Sequence, residues 1–144
     1  MRKNSEPFRS GEPDRIFVIE IDEVVRSALQ FILNEHSETL GFTSLDLALA
    51  EAAPDIVLLG IGFVQTHGKR ALAKIAGRWP GTKILIVADS VNDPLARVTL
   101  RWGAHDLLGK PINFDSVRSK VDNLLGEHDI SPAMLGLLPL SAAW

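Results

Sequence analysis

The stretch "PDIVLLGIG", Pro54 to Gly62, decides the fold. Ile56, Val57, Leu58 and Leu59 form an unbroken apolar run that stops at Gly60. A strand with one wet face alternates apolar and polar residues, whereas a strand covered on both faces does not. The run therefore reads as a strand inside a parallel sheet, entering a turn at a residue with no side chain. "KILIVA", residues 83–88, has the same character. Between the two runs, Leu72, Ile75, Ala76 and Trp79 recur at helical spacing before Pro80-Gly81.

The same pattern continues on either side. "IFVIEI", residues 16–21, reads as the first strand. Val25, Ala28, Leu29, Ile32 and Leu33 make the apolar face of a helix after it. Residues 39–42 are a weak second strand. Ser44 is placed to cap a helix carrying Leu45, Ala48, Leu49 and Ala52. Asp93-Pro94 supplies a cap and a first helical residue for a helix ending near Gly103. "HDLLG", residues 105–109, is a short fifth strand. Asn113 then caps a last helix, with Phe114, Val117, Val121, Leu124 and Leu125 expected inward.

Five strand–helix units in so short a chain predict an α/β fold with a parallel sheet covered on both faces. The natural form at this size is the flavodoxin-like, doubly wound five-stranded sheet of order 2-1-3-4-5. Such sheets bind ligands beyond the carboxyl ends of their strands, at the switch point. That rule directs attention to Glu20–Asp22, Gly60–Phe63, Ala88–Ser90 and Leu108–Lys110.

The 144 residues suit one domain, expected over 15–126. Residues 1–14 are polar, lack the apolar stretch of a secretory signal, and read as a disordered leader. Residues 127–144 crowd Ile130, Met134, Leu135, Leu137, Leu138, Leu140 and Trp144 into a tail. Pro132, Gly136 and Pro139 prevent a long regular helix there. Apolar residues in that number need a cover: their own domain, a second copy or a partner. The tail is too short for a membrane span and holds no DNA-binding helix-turn-helix. No output domain is therefore expected in this chain. A net charge of -3 without a Lys/Arg run argues against a nucleic-acid surface. The absence of cysteine excludes disulfides, thiol catalysis and zinc–cysteine sites, and it suits a cytoplasmic protein.

At the strand ends the sequence resembles the receiver domain of bacterial two-component response regulators (the CheY-like family), over roughly residues 15–126. "FVIEIDEVVRSAL" resembles the first strand with its acidic cluster and the helix with its early arginine, here Arg26. "PDIVLLGIG" resembles the strand that delivers the phosphoacceptor. "GAHDLLGKPI" resembles the fifth strand with its Lys-Pro pair, Lys110-Pro111, which the resemblance implies is a cis peptide.

In that family an Asp at the end of the third strand accepts a phosphoryl group. A Mg²⁺ held by several carboxylates and a Lys neutralise the transferring oxygens. A hydroxyl then holds the phosphate, and an aromatic on the fifth strand moves with it. Laid on this pattern, the acceptor position falls on Gly60 and the acidic pair on Glu20-Ile21, with Asp22 a remnant third acid. The hydroxyl position falls on Ala88 and the aromatic position on Leu107. Lys110 alone matches. Four linked losses imply a degenerate receiver, a pseudo-receiver without enzymatic activity, cofactor or metal.

Alternatives bear on the same residues. "GIG" begins a phosphate-binding glycine pattern, but its third glycine position is Gln65. Glu20 and Asp22, with Ile21 between them, make a poor octahedral site and are otherwise a solvated rim. Asp89 and His67 are weak substitutes as acceptors, His67 being read as a loop residue. Lys110 is expected to pair with Glu20. The resemblance implies a role in protein–protein interaction, with a histidine kinase, another regulator or a second copy as partner. Its contact surface is expected on residues 93–126 and the tail, with Trp102, Leu107 and Phe114 as contact residues.

Overall fold

The computed structural model describes residues 13–126. The expected leader, apart from Pro13 and Asp14, and the tail 127–144 lie outside the described residues. Five strands alternate with six helices: β1 (Asp14–Ile19), α1 (Glu23–Leu33), β2 (Ser37–Phe42), α2 (Leu45–Leu49), β3 (Ile56–Gly60), α3 (Ile61–His67), α4 (Lys69–Arg78), β4 (Lys83–Ala88), α5 (Pro94–Thr99), β5 (Asp106–Gly109) and α6 (Phe114–Gly126). All strand pairs are parallel, and the order is β2-β1-β3-β4-β5. This is the doubly wound topology expected from the sequence.

Successive strand residues point to opposite faces, so each unbroken apolar run feeds two cores. On one face Phe17, Ile19, Val57, Leu59, Ile84 and Ile86 pack against α2 to α5 through Leu45, Phe63, Leu72, Ile75 and Trp79. On the other, Ile16, Val18, Ile56, Leu58, Leu85 and Val87 meet Leu29 and Leu33 of α1 and Val117, Val121 and Leu124 of α6. Phe17 sits edge-on to Phe42 and to Trp79, at centroid distances of 5.0 and 5.5 Å. The Trp79 indole N–H donates to the Glu51 carbonyl at 3.2 Å, satisfying the one polar atom of a buried ring.

Several local expectations need correction. β1 starts at Asp14 and ends at Ile19, so Asp14 belongs to the domain and Glu20 and Ile21 lie in the loop beyond the strand. Residues 61–67 form a helix rather than a loop, and His67 is its last residue. Phe63 and Val64 are buried and hold that turn against the sheet, a signal masked by the flanking glycines. Gly68, at φ +64°, breaks α3 from α4 in a conformation that favours glycine. Ala76 is exposed, and Ala71 takes its place in the α4 stripe. Ala52 lies beyond the end of α2.

The β4–β5 pairing is extended by a side chain. Nδ1 of His105 accepts the Ile84 N–H at 2.9 Å, while the His105 N–H donates to the Ile84 carbonyl at 2.8 Å. Removing the ring leaves the amide of a buried strand residue without that acceptor. His105→Ala is expected to destabilise the domain by about 1–3 kcal/mol, read by urea denaturation. His105→Asn is expected to recover part of the loss.

Candidate functional site

The register sets the site. Ile19 pairs with Leu59, Gly60 with Val87 and Ala88 with Gly109, so the strands end along one edge of the sheet. The loops leaving that edge bring together Glu20–Asp22, Gly60, Ala88–Asp89 and Lys110.

The loop after β1 is fixed by two devices. Asp22 caps α1, its Oδ1 accepting the N–H groups of Val24 and Val25 at 2.9 and 3.2 Å. Arg26, one turn into the helix, donates through Nη1 to the carbonyls of Glu20 at 2.7 Å and Ile21 at 3.2 Å. The family resemblance marks Arg26 by position alone; a cation seven residues beyond the strand end and partly buried on the next helix is the signal for this role. Asp22→Ala is expected to cost about 1 kcal/mol in thermal or urea unfolding, with Asp22→Asn nearly silent because it still caps.

Gly60 ends β3 and is the N-cap residue of α3, with no side-chain cap bond. Its missing side chain leaves a space that the Glu20 carboxylate enters. A β-carbon built on Gly60 would lie 2.5 Å from Glu20 Oε1, 2.9 Å from Cδ and 3.1 Å from Oε2. Oε2 of Glu20 also accepts the Asp22 N–H at 3.0 Å, which folds the acid back over the strand end. Ile21 points outward and is 63% exposed, in no position to line a polar pocket.

The other half of the site is apolar beneath and charged above. Ala88 and Leu107 are buried in the core shared with α2 to α5. Leu107 therefore offers no surface atoms, correcting its expected place among contact residues. Lys110 does not pair with Glu20: its Nζ lies 3.1 Å from Oδ1 of Asp89, across the ends of β4 and β5. The Lys110-Pro111 bond is cis, as expected. Asp22 is occupied as a cap, and no group of metal-binding side chains is found among the described residues. Trp102 is half-buried against the larger core, while Phe114, expected inward, is 48% exposed. No helix among the described residues is long and apolar enough to cross a membrane.

Comparison with known proteins agrees with this fold. Residues 16–122 match the family model of the response regulator receiver domain, and the chain belongs to that family. Among curated proteins, none matches the chain. A response regulator from Thermotoga maritima superposes with a TM-score of 0.71 at 17% identity, over 80% of this chain and 99% of that one. A CheY-like receiver domain protein from Methanospirillum hungatei gives 0.72 at 22% identity, over 82% and 98%. NtrX from Brucella abortus gives 0.73 at 26% identity over 81% of this chain, which spans 27% of the NtrX chain.

Proposed function

We propose that this chain is a phosphorylation-independent receiver, a pseudo-receiver that acts by binding protein in bacterial two-component signalling, in the cytoplasm and without catalysis of its own. The observation that carries the reading is Gly60. At the strand end where the family presents its nucleophile, residue 60 has no side-chain oxygen, and the space beside it is taken by the Glu20 carboxylate. The other differences accord with it. Ile21 supplies no metal ligand, Ala88 no hydroxyl and Leu107 no moving aromatic ring, and Lys110 is engaged by Asp89. Partners are a histidine kinase, another regulator or a second copy, with neither nucleic acid nor membrane involved. Trp102, partly exposed after α5, lies within residues 93–126, where the contact is expected.

A second reading is favoured by the position of Glu20: phosphorylation at a non-standard acid. Against it, one Glu20 oxygen is bonded to the Asp22 amide and the lysine that would steady the transferred charge faces Asp89. A third, binding of a phosphate or nucleotide at Lys110 and the amides after Gly60, has no comparable geometric support. Incubation with Mg²⁺ and acetyl phosphate, followed by intact mass, separates the first two: the expected result is no gain of a phosphoryl group. A gain that disappears in Glu20→Gln would establish the second reading. Titration with nucleotides, followed by tryptophan fluorescence, is expected to show no saturable change.

A further inference from the structure

We propose that the C-terminal segment of this chain, residues 127–144, folds back onto the groove between α1 and α6 and covers Phe31 and Phe114. The groove, of about 350 Å³, is lined by Phe31 of α1, by Asn34 and Glu35 just beyond its end, and by Phe114 of α6. Phe31 is 82% exposed and Phe114 48%, on the two helices that cover the same face of the sheet. Two phenylalanines on one open groove are an apolar surface in need of a cover.

The chain itself carries matching material, attached at the right end of the molecule. α6 ends at Gly126, and its last turn, Leu124 and Leu125, lines a hollow with Asp55, Gly81 and Lys83 at the edge where β3 and β4 begin. α1 also ends at that edge, because the chain enters β2 at Ser37 opposite Asp14, the start of β1. The tail therefore leaves the domain at the pole where the last turns of α1 and α6 lie. Its 18 residues reach up to about 60 Å when extended, whereas α6 is only about 20 Å long. From Ile130 onward the segment carries no charge and seven large apolar side chains. The groove has a single charged lining residue, Glu35, at its side. A tethered segment meets its own groove at an effective concentration in the range of about 1 mM, an advantage that a second copy lacks in dilute solution. The tail would thereby solve two problems at once, its own exposure and that of the phenylalanines.

The chain has no cysteine, so an engineered pair reports without background. The variant Asn34→Cys/Ser141→Cys places one thiol beside the groove and one in the tail. Arg70→Cys/Ser141→Cys places the first thiol on α4, on the opposite face of the sheet. In dilute protein under mild oxidation, the groove pair is expected to close a disulfide within one chain at least about tenfold faster than the α4 pair, as a docked rather than freely sampling tether requires. Adding Phe31→Ser and Phe114→Ser, both at exposed positions, is expected to bring the groove pair down to the α4 rate. Equal rates for the two pairs would overturn the proposal. So would a product that is a disulfide-linked dimer, which would assign the groove to a second copy.

Discussion

Phe17→Ala is expected to destabilise the domain by about 3–5 kcal/mol, the range for removing a buried aromatic ring from a core that relaxes only in part. Phe17 is completely buried in the middle of β1. Its ring packs edge-on against Phe42 of β2 at 61° and against Trp79 after α4 at 75°, so one side chain joins two strands and a helix. The Arg15 guanidinium lies 5.0 Å from the same ring centroid and adds an attraction that vanishes with the ring. Domains of this kind are stable by only about 5–15 kcal/mol, so the loss is a large fraction of the total. In thermal unfolding it corresponds to a fall of roughly 10–20 °C in Tm. Phe17→Leu, which keeps most of the volume, is expected to lose less than half as much. A change below about 1 kcal/mol for Phe17→Ala would contradict the packing described.

The second large effect is a gain. Ile21→Asp/Gly60→Asp is expected to take up a phosphoryl group from acetyl phosphate in the presence of Mg²⁺, where the unaltered chain takes up none. The two substitutions put a nucleophile at the end of β3 and a second carboxylate in the loop after β1, which must turn in from the outward position of Ile21 to serve as a ligand. The structure indicates that they are tolerated. Ile21 is mostly exposed, so an Asp there buries no charge. The β-carbon added at position 60 meets only the far end of the Glu20 side chain, which can swing away by giving up its hydrogen bond from the Asp22 N–H. The Lys110–Asp89 pair must also yield, but Asp89 is largely exposed and such pairs contribute about 0–1 kcal/mol. Intact mass reads the result, and Ile21→Asp/Gly60→Asn serves as the control without a nucleophile. A folded double variant that gains no mass would contradict the expectation that the carboxylates missing at 21 and 60 are what keeps the site silent.

The sheet was legible because burial on both faces leaves an unmistakable trace: Ile56–Leu59 and Ile84–Val87 have no polar residue to spare for solvent. The caps were legible too, since Ser44, Asp93 and Asn113 each accept an amide of the following turn as their residue type predicts. What escaped was decided by neighbours distant in sequence. α3 has glycines at its first turn and just beyond its end, so local propensity spoke for a loop, and only the burial of Phe63 and Val64 fixed it as a helix. Phe114 is in phase with Val117 and Val121, but Ile112 packs against that core instead, leaving the ring outside. Phe31 was invisible as a surface residue because the neighbouring Ile32 and Leu33 carried the inward stripe. The partner of Lys110 depended on which of two acids the loops bring near, and spacing along the chain does not encode that choice.

Arg26 grips carbonyl oxygens, not side chains. The path of the chain at positions 20 and 21 is therefore set by groups that every amino acid possesses. Replacing either residue changes what the ledge displays without shifting the ledge, so the scaffold works as a socket whose fittings are interchangeable. Such a mounting lets the side chains displayed at this edge vary one at a time while the surrounding architecture stands.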